Sequence, residues 1–333
     1  MSNNILKKLD KNKYTWLVTG VSGFIGQNIL HYLISKNQIV YGIDVNYIKK
    51  NNLIKIFKDQ ENRKKNFYFI KGNMLNINFL KSFFIKFDFI LHQAASSSVP
   101  LSIKKPKFVY ENNVKSFLNL LEVSRINNVK KIVYASSSAL YSNPRSTSEN
   151  VLIKNLLSPY ADSKYANECL ANFYNKKMKM NVVGLRYFNV FGPYCNTIGK
   201  NLPVIGNWIS KMHKNKNIEI FGSKNQTRDF VYVKKVVEYN LIIAISKNKK
   251  FIYNVGTGIE TTLFDLFKLI KKKILKKKRI TSHIEFSKER SGDITKSLAN
   301  LKILNKEFKI NCKVSLGLGI EKTIEYFLNS EKK

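Results

Sequence analysis

An α/β fold built on a doubly wound parallel sheet is predicted by three features of this sequence. Apolar runs of strand length alternate with segments of helical period, glycines crowd the first strand-to-helix turn, and small polar residues gather where strands end. With 333 residues, 44% of them hydrophobic, the chain is long enough for a large core and for a second, smaller lobe.

The stretch TWLVTGVSGFIGQNILHYLISKNQIVYGIDV begins with a strand at Trp16–Thr19 and turns through glycine. It continues with Ile25, Ile29, Leu30 and Leu33 on one helical stripe and ends in a strand at Ile39–Ile43. That is a βαβ unit. Gly20, Gly23 and Gly26 form GxxGxxG: the first permits a tight turn, the second a close approach of backbone to a pyrophosphate, the third close packing of helix on strand. The expected fold is therefore of the Rossmann type, with phosphates at the helix N-terminus. Asp44 ends the second strand, where a carboxylate binds ribose hydroxyls and repels a 2'-phosphate, so NAD is expected in preference to NADP.

After a lysine-rich connection, FYFIKG reads as a strand leading to Asn73, NINFLKSFF as a helix and FDFILHQAA as a strand ending at Ala95. A helix at Lys115–Ile126 and a strand at Lys131–Ser138, KIVYASSS, continue the alternation. Ligands bind at the carboxyl ends of such strands, which turns the serines toward the cofactor; serine is also an ordinary turn former. SPYADSKYANE, Ser158–Glu168, then sets Tyr160 and Lys164 four apart at the start of a helix, on one face. A free phenol titrates near pH ~10 and is a poor base at neutrality. A neighbouring ammonium is expected to lower that value and make the phenol useful.

The net charge of +36 raises nucleic-acid or membrane binding as a function. Lysine is spread along the whole chain, however, and the run Lys271–Arg279 continues an amphipathic helix whose apolar side is Leu263, Leu266, Phe267, Ile270 and Leu275. We read the charge as a solvated face, expect neither nucleic acid nor membrane as a partner, and note that it would still attract an anionic small substrate. Cys169, Cys195 and Cys312 are far apart, as are His31, His92, His213 and His283, so neither a disulfide framework nor a metal site is expected. MSNNILKKLDKNKY has no long apolar core and no later segment reaches 18 uncharged apolar residues, which leads us to expect a soluble, cytoplasmic protein.

The motifs TGVSGFIG, LHQAASSSVP, SSSALY, SPYADSKYANE, GLRYFNVFGP, RDFVYV, YNVGTG and RSGDITKSLAN follow one another between residues 16 and 300. In this order they resemble the extended short-chain dehydrogenase/reductase family, in particular its nucleotide-sugar epimerases, and most of all bacterial UDP-N-acetylglucosamine 4-epimerases. The resemblance implies an NAD-binding domain over 1–187, with returning segments near 229–258, and a smaller nucleotide-sugar-binding lobe over 188–228 and 259–333. It implies Ser137, Tyr160 and Lys164 as catalytic residues; Ser137 is chosen over its neighbours because it lies four residues before Tyr141. Tightly held NAD, regenerated in each cycle, is implied to meet Gly20, Gly23, Phe24, Ile25, Gly26 and Asp44, then Asn73, Met74, Gln93, Ala94, Ala95 and Asn113, and finally Tyr160, Lys164 and Tyr187. The UDP-sugar is implied to meet Ser98, Ser137, Ser138, Asn189, Val204 and Arg228, followed by Arg290, Asp293 and Ser297. Ser297 falls where relatives restricted to small hexoses carry tyrosine, so a 4-epimerase acting on UDP-GlcNAc and UDP-GalNAc is expected. Family members are commonly homodimers, with the Tyr160 helix a participant.

Several positions depart from the family pattern: Asn73 replaces an aspartate, Ser142 a glycine and Leu101 an arginine, and Thr295 and Lys296 also differ. Ser138 and Ala139 occupy the places of the Asp-Glu pair that a 4,6-dehydratase needs, which argues against elimination. Epimerisation or decarboxylation of a UDP-uronic acid is a further alternative, and a non-catalytic NAD sensor another.

Overall fold

The structure is a computed structural model that describes residues 5–58, 60–142, 147–195, 203–223, 225–288, 295–308 and 314–331. A short helix, α1 (Lys8–Lys11), precedes β1 (Thr15–Thr19), α2 (Phe24–Ser35), β2 (Ile39–Asp44) and α3 (Lys50–Phe57). Then come β3 (Phe67–Lys71), α4 (Ile77–Phe83), β4 (Phe89–His92), α5 (Val99–Lys104), α6 (Pro106–Tyr110), α7 (Ser116–Ile126) and β5 (Lys131–Ser137). The longest helix, α8 (Pro159–Lys177), leads to β6 (Val182–Tyr187), and β11 (Ile252–Val255) returns later in the chain. These strands form one seven-stranded sheet in the order β3-β2-β1-β4-β5-β6-β11, parallel at every pairing. The chain winds outward in one direction from β1 to β3 and in the other from β4 to β6, which leaves a crevice at the carboxyl ends of β1 and β4.

Both faces of the sheet are covered, and the alternation of strand side chains shows it. Trp16 and Val18 join the buried cluster under α2, whereas Leu17 between them joins Phe117, Leu121 and Tyr174 on the opposite face. Buried on both sides, the strands read as continuous apolar runs. The lysine-rich connection before β3 contains a helix not anticipated from sequence, α3, anchored by buried Ile56 and Phe57 with Leu53 partly buried against the same core.

The smaller lobe contains β7 (Asn189–Phe191), α9 (Val204–His213), β8 (Ile218–Phe221), β9 (Thr227–Arg228) and β10 (Phe230–Tyr232). After α10 (Val233–Ile245), which packs on the sheet, it adds β12 (Thr261–Thr262), α11 (Leu263–Leu275), β13 (Ile284–Ser287), α12 (Lys302–Glu307) and α13 (Leu316–Glu331). A second core of Trp208, Ile209, Leu266, Ile270, Ile320 and Ile324 holds α9, α11 and α13 together. On α11 the buried stripe is Leu263, Leu266, Phe267, Ile270 and Ile274; Leu275, expected on that stripe, is exposed, because the helical period of 3.6 carries it off the face. Ala299, Leu301, Leu304 and Phe308 pack into the core of the large sheet, although they follow most of the lobe in the chain. Among the described residues no helix is long and apolar enough to cross a membrane.

Candidate active site

A cavity of about 780 Å³ opens along the carboxyl edge of β1, β4, β5 and β6, between the sheet and the smaller lobe. The glycine turn forms one end. Gly20 has φ +68°, and a Cβ there would lie 2.7 Å from the Ala94 nitrogen; on Gly26 it would lie 2.1 Å from the Gly20 carbonyl oxygen. Any side chain at either position would force turn, helix and neighbouring strand apart. Asp44 braces this turn by accepting hydrogen bonds from the Ser22 and Asn46 nitrogens at 3.1 and 2.9 Å. A helix N-terminus reached over bare backbone is a fitting seat for a pyrophosphate, and the residues present therefore fit a dinucleotide.

The middle of the cavity gathers Ser137, Ser138, Tyr160, Lys164 and Tyr187. Ser158 starts α8 by accepting from the Ala161 nitrogen at 3.2 Å, with Pro159 in the first turn, a strong start signal that fixes the rotation of the helix. Ser137 similarly caps the turn after β5 by accepting from the Ala139 nitrogen at 3.1 Å. Tyr160 is half-buried, and burial raises its pKa, opposed by a hydrogen bond with Ser137. This corrects the expectation that Lys164 lowers it. Lys164 is 2% exposed, its Nζ donates to the Ala135 carbonyl at 2.8 Å, and burial draws its own pKa down to about 8. Burial sets the direction for both groups.

At the other end lie Asn189, Val204, Arg228 and Ser297. Asn189 is fixed by its Nδ2 donating to the Asp229 carbonyl at 3.3 Å and Arg228 by its Nη1 donating to the Thr227 carbonyl at 2.9 Å. Asp229, fully buried, clasps the loop behind them: it accepts from the Thr257 and Gly258 nitrogens, each at 2.8 Å, and from the Ala299 nitrogen at 3.2 Å.

Phe24, Ile25, Gln93 and Ala95 also line the cavity, but other expected contacts stand back from it. Ser98 caps α5 by accepting from the Leu101 nitrogen at 3.1 Å. Asn113 is buried, accepts from the Ser96 nitrogen at 2.7 Å and donates to Ser163 at 3.0 Å. Met74 lies in the core, Ala94 backs Gly20, and Asn73 holds its own turn by accepting from the Leu75 nitrogen at 2.9 Å. Arg290 and Asp293 lie outside the described residues.

Two buried polar groups were missed from sequence. Glu168, eight residues after Tyr160 on the same helix, accepts from Arg186 Nε at 2.9 Å and Nη2 at 2.6 Å, and from Ser136 Oγ at 2.6 Å. The signal was available: residues 160, 164 and 168 share one helical face. His92, at the end of β4, shares a hydrogen bond of 2.7 Å between its Nδ1 and Thr19 Oγ1 and stacks on Phe117, while its Nε2 has no hydrogen-bond partner. Burial pushes its pKa from 6.5 to about 3. An unfolded chain takes up this proton between those values and the folded one does not, so stability present above pH 6.5 is lost as pH falls toward 3. Melting temperatures measured from pH about 7 down to about 4 should fall less steeply for His92→Gln than for the parent; equal slopes would exclude His92 as a source.

The sequence pattern of the NAD dependent epimerase/dehydratase family matches residues 16–256. A UDP-glucose 4-epimerase of Mycolicibacterium smegmatis is 30% identical over 322 residues, which are 95% of this chain and 99% of the relative. Among solved structures, the UDP-N-acetylglucosamine 4-epimerase of Methanobrevibacter ruminantium in complex with UDP-N-acetylmuramic acid superposes with a TM-score of 0.84 at 30% identity, over 96% of this chain and 99% of that one. The UDP-glucuronic acid 4-epimerase of Bacillus cereus, in complex with UDP-glucuronic acid and NAD, gives 0.80 at 26% identity, over 95% and 99%.

Proposed function

The chain belongs to the NAD dependent epimerase/dehydratase family, and from that premise we propose that it interconverts UDP-GlcNAc and UDP-GalNAc. It is a UDP-sugar 4-epimerase with NAD as its cofactor. The choice of an N-acetylated sugar rests on Ser297, a small side chain only 9% exposed on the cavity wall. Serine leaves room there for an acetamido group that tyrosine would displace.

The glycine turn at Gly20, Gly23 and Gly26 with the N-terminus of α2 would hold NAD, which would supply reversible hydride transfer at carbon 4 of the sugar. On the protein's side, Ser137 hydrogen-bonds the 4-hydroxyl and helps pass its proton to Tyr160, to which it is itself hydrogen-bonded, and Tyr160 is the base that receives it. Lys164, whose pKa is about 8, lines the same cavity and donates to the Ala135 carbonyl, and by the family resemblance it would hold the nicotinamide ribose. Arg228 on the cavity wall would hold the diphosphate, which guanidinium forks suit better than ammonium does; the family resemblance gives the diphosphate also to Arg290 and the uridine ribose to Asp293.

Purified protein incubated with UDP-GlcNAc and no added NAD should form UDP-GalNAc, contain NAD, and sediment as two 38.6 kDa chains. The dimer is supported by the exposed Phe108, Leu118 and Phe173 on α6, α7 and α8. Turnover of UDP-glucuronate alone would overturn the choice of sugar, and a single-chain mass would overturn the dimer. In the same assay Ser297→Tyr should lower kcat/KM for UDP-GlcNAc by about tenfold or more while sparing UDP-glucose; equal losses would contradict the role of Ser297.

A further inference from the structure

Two walls of the cavity that are far apart in sequence are joined by an unbroken path of hydrogen bonds. One wall carries Ser136 and Ser137 at the end of β5, the other carries Ser297. From the first, Ser136 Oγ donates to Glu168, which accepts from Nε and Nη2 of Arg186. Arg186 Nη1 donates to the Tyr141 hydroxyl at 2.8 Å, and that hydroxyl donates to Asn254 Oδ1 at 2.7 Å. Asn254 Nδ2 then donates to the carbonyls of Thr147 at 2.6 Å and Asn300 at 3.0 Å. Thr147 closes the path: its hydroxyl donates to the Leu298 carbonyl at 2.6 Å and accepts from the Asn300 nitrogen at 3.2 Å.

Every side chain on this path is buried. A buried polar network that is fully matched is stiff, because any displacement strands a donor or an acceptor away from water. The segment 297–300 has no strand or helix of its own to fix it. Its place is set by Thr147 and Asn254 on one side and by Asp229, through the Ala299 nitrogen, on the other. Thr147 is the most economical lever, since one hydroxyl holds two backbone groups of the segment.

We infer that Thr147 is a specificity-determining positioning residue: by tying 297–300 through Asn254, Tyr141, Arg186 and Glu168 to the serines of β5, it fixes the distance between the wall that meets the reacting carbon and the wall that meets the sugar's substituent. The inference rests on the UDP-sugar reading above and adds a residue that touches neither substrate nor cofactor.

The test compares Thr147→Val, which keeps the shape and deletes the hydroxyl, with Thr147→Ser, which keeps the hydroxyl. The parent is first assayed on UDP-GlcNAc, UDP-glucose and UDP-glucuronate, and specificity is the kcat/KM ratio of the two it turns over fastest. A parent inactive on UDP-GlcNAc therefore defeats the choice of sugar while the role of Thr147 is still scored. Thr147→Val should shift this ratio by about three- to tenfold, the worth of one or two lost hydrogen bonds, mainly through KM, with the pH profile of kcat unchanged. Thr147→Ser should restore the parental ratio. Tyr141→Phe, which cuts the path at its middle, should shift the ratio in the same direction and decides the matter if Thr147→Val does not fold. A lower melting temperature with an unmoved ratio in both Thr147→Val and Tyr141→Phe would make the path merely structural and overturn the inference.

Discussion

Replacing Tyr160 by Phe is expected to give a folded protein that retains NAD and loses epimerisation by about 10²- to 10⁴-fold in kcat, the usual worth of a positioned proton-transfer group. The ring stays and only the hydroxyl goes, so neither the start of α8, fixed by Ser158 and Pro159, nor the glycine turn is disturbed. KM should change far less than kcat, because the group acts on a proton that moves only in the reaction. The measurement is steady-state kinetics beside the NAD content of the denatured protein. Loss of NAD together with activity would mean that Tyr160 serves binding, and a kcat within tenfold of the parent would remove it as the base.

The second large effect is on stability. Glu168→Ala leaves the Arg186 guanidinium buried with its two best hydrogen bonds gone, and breaking a buried pair from one side costs about 3–5 kcal/mol. Arg186→Met added to Glu168→Ala should recover part of that loss, since no uncompensated charge then remains. Urea unfolding of the three proteins gives the comparison. A single variant within about 1 kcal/mol of the parent, the range of an exposed pair, would show that solvent reaches Arg186. The double variant has a second use: it separates the stability held in the pair from the hold that Glu168 has on the Ser136 hydroxyl.

What could be read from the chain was whatever depends on neighbours in sequence. Strand and helix periods are local, so the βαβ units were legible, and the glycine spacing stated a backbone need that Gly20 and Gly26 both display. Tyr160 and Lys164 are on one helical turn, and their shared face follows from geometry alone. Their electrostatics do not: the depth at which Lys164 lies depends on β5 and β6, and burial reversed the expected direction for the phenol. Ser98 and Asn113, ligand contacts by the family resemblance, also hold backbone, Ser98 by capping α5 and Asn113 by accepting from the Ser96 nitrogen. The path from Ser136 to Thr147 joins five separate stretches of chain, and no window of sequence contains it. Helix α3 was overlooked although Leu53, Ile56 and Phe57 keep helical spacing, because lysines and asparagines surround them.

The seventh strand carries a consequence for how the protein is made. β11 is synthesised only after the whole of 188–251, and it is the partner that β6 requires on its outer side. Until Val255 leaves the ribosome, β6 presents an apolar edge with its backbone groups unpaired, the kind of surface that recruits other chains. Asn254, on that same late strand, is the residue that engages Tyr141 and Asn300. The same late strand therefore covers the open edge of β6 and brings Asn254 to the cavity wall, which is complete once Asn300 has followed it.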